Sequence, residues 1–418
     1  MTKFKNEKII SELKHAIFYE VNLRQYTPEG TIKAFLPHLH RIAAMGVNMI
    51  WLMPIHPTGI INRKGSLGSY YSSRNFTEVN PEFGNKSDLK HLIVQAHQMG
   101  IKVILDWVAN HAAWDNNWTS DHPDYFVRDE NGNFLSPYDW TDVIQIDHNN
   151  EAAHDALREA MCYWIREFDI DGFRADLAHL TPLRFWLKAR ELAESIKPDL
   201  IWLAETEDEP YYQAFDVNYA WKWMHKSESY CKEHHSVHFL ISTLKETISQ
   251  YPQNALQLFF TSNHDENSWN GTEYEKYGIF AKALSVFSFY YPFSVPLIYS
   301  GQELPNTRRL AFFDKDQIDW TDDCKLTSFY STMAHHRKTI CTSGFFEFLN
   351  LNDKVLAFQR GEGMGALYIF LNLDHHEHHV SYSSKDSCLK NIFSGEINNQ
   401  HKLELHLKPG AYSVWEAV

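Results

Sequence analysis

Eight short apolar runs alternate with helical segments along most of the chain, and this alternation restricts the fold more than any other feature. The runs are Ile17–Val21, Val47–Met53, Ile101–Asp106, Phe168–Asp176, Leu200–Glu205, Phe215–Trp221, Leu256–Thr261 and Val295–Tyr299. Helical spacing fills Thr31–Met45, Ser87–Met99 (Ser87 as N-cap, Gly100 as stop), Glu151–Glu167, Pro182–Ile196, Val237–Gln250, Tyr274–Phe289 and Leu326–Ile340. Eight β/α units in sequence favour a closed (β/α)8 TIM barrel over a doubly wound sheet. The 418 residues exceed a barrel of about 250 residues and leave room for an insertion and a second domain. Ala112–Asn149 has no clear period, is rich in Trp, Asp, Asn and Pro, and reads as a functional loop or a small inserted subdomain. Beyond the last helix, Val355–Phe358, Ala366–Leu371, Val380–Tyr382, Leu403–Leu407 and Tyr412–Trp415 are short strands spaced by turns, a C-terminal antiparallel β-sandwich. The expected division is residues 1–111 and 150–344 for the barrel, 112–149 for the insertion and 345–418 for the sandwich.

Barrels of this kind carry their chemistry at the C-terminal ends of the strands. Asp106 ends the third run with Asn110-His111 close behind; Asp176 ends the fourth and Glu205 the fifth; His264-Asp265 follow the seventh. Within Gly172-Phe173-Arg174-Ala175-Asp176, the Arg and the Asp two positions on share one face of a strand. A guanidinium beside a carboxylate keeps it ionised, as a nucleophile requires. Taken singly, each residue has a plainer reading. Arg174 and Asp176 would be a structural ion pair, a strand-end Asp a loop cap, the carboxylates a divalent-cation site, and His111 and His264 ordinary hydrogen-bonding histidines. Four strand ends carrying the same kind of residue outweigh those readings. Three carboxylates in one mouth repel, so at least one is expected to hold its proton more tightly. An ionised acid beside a protonated one suits nucleophilic and acid/base chemistry at a sugar acetal.

The formal net charge of -14 argues against nucleic acid or an anionic membrane as partner and fits a neutral substrate. Aromatic residues reach 15%, enough for stacking surfaces or for a large aromatic core. Cys162, Cys231, Cys324, Cys341 and Cys388 are odd in number and without paired spacing, which points to reduced thiols in packed positions, not a disulfide frame or zinc site. Met1–Lys14 is charged throughout and lacks an apolar core, so no signal peptide and a cytoplasmic location are expected. Ile279–Tyr299 is interrupted by Lys282, Pro292 and Pro296 and reads as helix, loop and strand, not as a membrane span.

With these residues in place, the chain resembles the α-amylase superfamily of glycoside hydrolases, family 13, over nearly its whole length. Asp106-Trp107-Val108-Ala109-Asn110-His111 is similar to that family's first conserved region, Gly172–Asp176 to the second, Leu203-Ala204-Glu205 to the third and Phe260-Thr261-Ser262-Asn263-His264-Asp265 to the fourth. Gly68–Ser72 and Val79–Gly84 look like the segment that supplies a substrate-stacking Tyr. The resemblance implies Asp176 as nucleophile, Glu205 as acid and then base, and Asp265 as the residue that holds the sugar hydroxyls and stabilises the oxocarbenium-like state. It implies Tyr71, Asp106, His111, Arg174 and His264 as the sugar-binding set, with Tyr71 stacking under the ring and Arg174 fixing the nucleophile. Ala112–Asn149 would be the family's domain B and the sandwich its domain C.

Some positions depart from the pattern. His179 and Leu180 stand where starch-cleaving members often carry Lys-His, and Leu177 follows the nucleophile, so the choice between α-1,4 and α-1,6 linkages stays open. Asn110 matches one calcium ligand, but the expected acidic ligand falls at Gln145, so no cofactor is required and a tight calcium site of the usual kind is not expected. The leading expectation is a retaining hydrolase of α-glucans or maltooligosaccharides. A transglycosylase with the same three acids, or a non-catalytic carbohydrate-binding protein on the same fold, are the alternatives. Endo or exo action, chain-length preference and oligomeric state are not set by the sequence.

Overall fold

The computed structural model describes residues 7–233, 235–321, 324–340 and 344–418. The chain divides into two compact units, one built chiefly from Phe18–Tyr219 and Leu310–Asp319, the other from Ile10–Ile17, Ala220–Arg309 and Trp320–Val418. The first unit holds β1 (Phe18–Val21), β2 (Met49–Leu52), β3 (Lys102–Trp107), the short strands β4 (His111–Ala113) and β5 (Val143–Gln145), and then β6 (Gly172–Ala175), β7 (Ile201–Ala204) and β8 (Val217–Tyr219). The second contributes β9 (Leu256–Phe259) and β10 (Ser294–Tyr299). Leaving out β4 and β5, these strands form a closed eight-stranded barrel in chain order, and the pairs within each unit are parallel. Most barrel strands are buried along their whole length, which is why they read as continuous apolar runs without alternation.

Register in the first unit depends on one glycine. Gly172 opens β6 at φ +153°, and a Cβ there would lie 2.0 Å from the carbonyl oxygen of Ile201 on β7. Only the missing side chain lets the two backbones approach this closely. The pairing that follows sets Arg174 opposite Leu203 and Ala175 opposite Ala204.

Several sequence expectations are corrected. The helix over Thr31–Met45 starts as expected, with the Thr31 hydroxyl accepting from the Ala34 amide, but breaks into Ile32–Phe35, a 3-10 turn at Leu36–His38 and Leu39–Ala44. Pro37 has no N–H to continue the ladder. The next helix runs Lys86–Gln98, and its cap is Asn85, not Ser87, in a reciprocal box with Asp88. Gly278, at φ +54°, divides the expected Tyr274–Phe289 helix into Glu273–Tyr277 and Ala281–Tyr290. The run Phe215–Trp221 contracts to β8, because Trp221 opens an unexpected helix, Trp221–Glu233. Residues 112–149, without a clear period in the sequence, carry short regular elements. β4 and β5 pair antiparallel, and a turn of helix lies at Trp118–Asp121.

After the helix Thr327–Arg337 come β11 (Phe346–Leu349), β12 (Val355–Arg360), β13 (Leu367–Asn372), β14 (His378–Ser383), β15 (Leu389–Asn391), β16 (Ile397–Asn398), β17 (Lys402–Leu407) and β18 (Tyr412–Ala417). Six of them form the antiparallel sheet β11-β12-β13-β18-β15-β16, and β14 pairs with β17. Their inner faces share a core that includes Val355, Tyr368, Phe370, Val380, Leu405 and Trp415. β11, β15 and β16 are strands that the sequence reading does not include. Of the thiols, Cys162 is buried and Cys231, Cys324 and Cys388 are half-buried; all four are free, and Cys341 lies outside the described residues. Among the described residues no helix is long and apolar enough to cross a membrane.

Gly172→Ala is expected to destabilise the protein by roughly 3 kcal/mol or more, because the new methyl meets backbone that cannot rotate away. Gly344→Ala, where a Cβ meets open space, should stay within about 0.5 kcal/mol of wild type. Urea unfolding of the two variants checks this, and similar midpoints for both would contradict it.

Candidate active site

The parallel register builds the centre. Asp106 on β3 pairs with Arg174 on β6, and Trp107 with Ala175. Continuing the β6–β7 pairing past Ala175 and Ala204 brings Asp176 beside Glu205 at the two strand ends. The Asp176 amide donates to the Trp107 carbonyl at 3.0 Å and the Glu205 amide to the Ala175 carbonyl at 3.0 Å, so both acids are still tied to the ladder. These side chains stay in place because the strand ends do.

Arg174 lies at the middle of the carboxylates. Its Nη1 donates to Asp106 Oδ1 at 3.0 Å and to Asp176 Oδ1 at 2.9 Å. Its Nη2 lies 2.9 Å from Glu205 Oε2, an ion pair without the alignment of a hydrogen bond. Nε donates to the Tyr219 hydroxyl at 3.1 Å, and the guanidinium lies 4.8 Å from the centre of the Trp51 ring. Burial opposes the guanidinium's charge, but Asp106 and Glu205, with Tyr219 and Tyr71, hold it protonated well above its ordinary range. Burial likewise keeps the Tyr219 phenol neutral, pushing it well up.

The remaining lone pairs are also used. Asp106 Oδ2 accepts from Trp51 Nε1 and from the Tyr71 hydroxyl, both at 3.1 Å. Glu205 Oε2 accepts from the Leu177 amide at 2.8 Å. Leu177 takes a left-handed conformation, φ +40°, rare for a branched side chain, and that conformation accompanies the amide's approach to the acid. The Tyr71 ring is parallel to Phe312 at 6.3 Å, and Tyr70 meets the same Phe312 edge-on at 5.5 Å.

His111 opens β4 and is buried, its ring centre 5.6 Å from that of Trp140 in an edge-to-face contact. Burial pushes its imidazole down to about 4, against the opposing pull of Asp142 and a backbone hydrogen bond at Tyr71. It is a neutral ring at pH 7, able to donate from one nitrogen and accept at the other. His264 and Asp265 belong to the second unit, beyond the end of β9, and lead into a π-helical turn at Glu266–Asn270. His264 Nε2 lies 3.2 Å from Asp265 Oδ2. Glu266, next in the chain, is buried in an ion pair with Lys276, and its amide donates to Asn263 Oδ1 at 2.8 Å.

The structure therefore joins Tyr71, Asp106, Arg174 and Asp176 by hydrogen bonds and Glu205 by an ion pair to Arg174 in one cluster, with His111 beside the Tyr71 backbone. Trp51, Tyr219 and Phe312 are partners that the sequence did not single out. At the two positions that the resemblance associates with calcium the side chains are neutral amides. Asn110 Nδ2 lies 3.3 Å from His111 Nδ1, and Gln145 faces His111 across the β4–β5 pair. Two neutral amides are a poor start for the acidic, oxygen-rich cage calcium favours. Among the described residues no group of three or more His, Cys, Asp or Glu is arranged to hold a metal ion.

The family profile described as the α-amylase catalytic domain matches residues 6–145 and 128–343. The chain belongs to the α-amylase family. Its fold is similar to that of a noncanonic maltogenic α-amylase from Thermotoga neapolitana, with a TM-score of 0.88 and 30% identity over 97% of this chain and 99% of that one. Its sequence is 25% identical to α-amylase 2 of Dictyoglomus thermophilum, over 91% of this chain and 69% of that protein. Over 47% of the chain, and 32% of the relative, it is 32% identical to an α-1,4-glucan:maltose-1-phosphate maltosyltransferase of Rhodospirillum rubrum. As an α-amylase family member the protein is a glycosidase.

His56 and His148 share the electrostatic state of His111. Burial pushes each down to about 4, helped at His148 by the neighbouring His154. Between about pH 4 and 6.5 the unfolded chain binds protons at these histidines that the folded chain refuses, so stability rises with pH across that window. Their contribution is full above about pH 6.5 and gone below about pH 4, with a slope of at most about 1.4 kcal/mol per pH unit for each. His56→Asn should flatten the dependence of urea-unfolding free energy on pH in that window; slopes equal to wild type would contradict the assignment.

Proposed function

We propose that this glycosidase is a retaining enzyme of α-glucans or maltooligosaccharides, most favoured on α-1,4 bonds. In this reading Asp176 is the nucleophile, Glu205 the acid and then base, and Asp265 the residue that binds hydroxyls and stabilises the oxocarbenium-like state. The observation that carries it is the adjacency of Asp176 and Glu205 on neighbouring strands, bridged by one guanidinium. Neighbouring strands lie about 4.8 Å apart, and a retaining pair needs carboxyls about 5–5.5 Å apart. An inverting pair, which must leave room for a water, stands about 6.5–9.5 Å apart.

The cation of Arg174 favours the anionic form of Asp176, which attacks the sugar's anomeric carbon while Glu205 gives its proton to the leaving oxygen. A glycosyl ester on Asp176 results. Glu205, now a carboxylate, takes a proton from water, and the water oxygen displaces Asp176 at the same carbon, so the configuration is retained. The amide of Leu177, 2.8 Å from Glu205, keeps the acid oriented through both steps. Neutral His111 and the phenol of Tyr71 supply hydrogen-bonding and stacking surface to the same sugar. The roles of His264 and Asp265 rest on the match of Phe260–Asp265 to the family's fourth conserved region.

A transferase reading shares every one of these residues, with a sugar hydroxyl taking the place of water. The likeness to a maltosyltransferase over 47% of the chain favours keeping it as the second reading.

The test is a product profile on maltoheptaose and on an α-1,6-linked oligosaccharide, wild type beside Glu205→Gln. Short α-1,4 products with retained anomeric configuration by NMR are expected, and kcat should fall by about 100-fold or more in Glu205→Gln. Products longer than the substrate would favour transfer, cleavage confined to the α-1,6 bond would move the linkage, and an inverted anomer would overturn the mechanism.

A further inference from the structure

We propose that Tyr138 and Trp140, in the segment between β4 and β5, form a stacking platform for a second glucosyl unit of a linear α-glucan, next to the unit held at His111. The inference rests on the α-glucan reading given above and adds a binding subsite to it.

Three observations meet at this segment. Tyr138 is 72% exposed, one of the most exposed large apolar side chains described, and its ring lies 5.1 Å from the half-buried Trp140. Trp140 in turn meets the buried His111 at 5.6 Å, edge to face. A line of rings thus runs from solvent to a residue of the reacting centre. Tyr138 also sits at φ +53°, a left-handed conformation that a bulky residue keeps only where its surroundings impose it.

Those surroundings are well defined. The Trp140 amide donates to the Pro137 carbonyl at 3.1 Å, and the Val143 amide to the Trp140 carbonyl at 3.2 Å. Trp114 Nε1 donates to the Thr141 carbonyl at 3.0 Å, the Ser72 hydroxyl to the Asp142 carbonyl at 3.2 Å, and Lys64 pairs with the Asp142 carboxylate at 3.0 Å. The segment is fixed at both sides of a ring that is left in water. A core residue would be covered. A merely tolerated surface residue would not need a strained backbone held from five directions.

The chemistry of the rings names the ligand. Glucose presents a face of C–H bonds, and a fixed aromatic face complements it. Ordering such a ring before binding lowers the entropy lost when the sugar docks.

Calorimetry of the Glu205→Gln protein, in which turnover is suppressed, tests this with two probes. Maltoheptaose reaches beyond the reacting sugar; the one-ring iminosugar 1-deoxynojirimycin does not. Tyr138→Asn keeps a residue that accepts the left-handed conformation while removing the ring. It should weaken maltoheptaose by about tenfold and the iminosugar by less than about twofold. Tyr138→Phe should restore maltoheptaose binding. Equal losses on both probes, no loss on maltoheptaose, or failure of Phe to rescue would each overturn the platform. If wild-type protein cleaves no α-glucan yet maltoheptaose binding still depends on the Tyr138 ring, the catalytic reading falls and the platform stands. If maltoheptaose is turned over and its binding does not depend on the ring, the platform falls and the catalytic reading stands.

Discussion

The buried guanidinium of Arg174 is the interaction on which the first unit's chemistry depends, since it meets Asp106, Asp176 and Glu205 from three consecutive barrel strands. Three carboxylates facing one cation, all nearly out of water, would repel strongly if left to that cation alone. Each such ion gives up several kcal/mol of hydration, which attraction offsets only where geometry is good and the remaining lone pairs are satisfied. Trp51 and Tyr71 satisfy Asp106, the Leu177 amide satisfies Glu205, and Tyr219 takes the last nitrogen of the guanidinium. The cluster is therefore a network, in which each partner limits the freedom of the next. Its precision originates two residues earlier, where Gly172 lets β6 and β7 approach and fixes which residues stand side by side.

Around this network the molecule adds surfaces from distant parts of the chain. Phe312 comes from the 310–319 stretch to lie parallel to Tyr71, and the β4–β5 insertion brings His111 with Trp140 and Tyr138 beyond it. The strand ends supply the charge, and the loops add rings to those of Trp51 on β2 and Tyr219 on β8. Such a division lets a family keep one reaction while changing its substrate, because loop rings can be altered without disturbing the strand register.

Much of this is legible in the residues, and for a physical reason. A strand end followed by an acid is a local pattern, so the sequence by itself places Asp106, Asp176 and Glu205. The period-two rule puts Arg174 and Asp176 on one face, and they are 2.9 Å apart. Trp51 and Tyr219 read only as strand apolar content, because their polar atoms find partners on other strands. Phe312 carries no signal at all, its position being set by folding across more than two hundred residues. Other features are plain in the residues once weighed: Pro37 announces the helix break, and Asn85 with Asp88 three residues on is a capping pattern as readable as Ser87. The short strands β15 and β16 lack any period to find, since they are held by the neighbours they pair with.

The claim that Asp176 is the nucleophile held by Arg174 is tested most directly by trapping its covalent intermediate. Protein incubated with a 5-fluoro-α-glucosyl fluoride, which slows release of the ester, would be digested and sequenced by mass spectrometry. The account predicts one glucosyl adduct, on the peptide carrying Gly172–Asp176 and localised to Asp176. An adduct on Asp106 or Glu205, or turnover of the reagent with inversion, would contradict it.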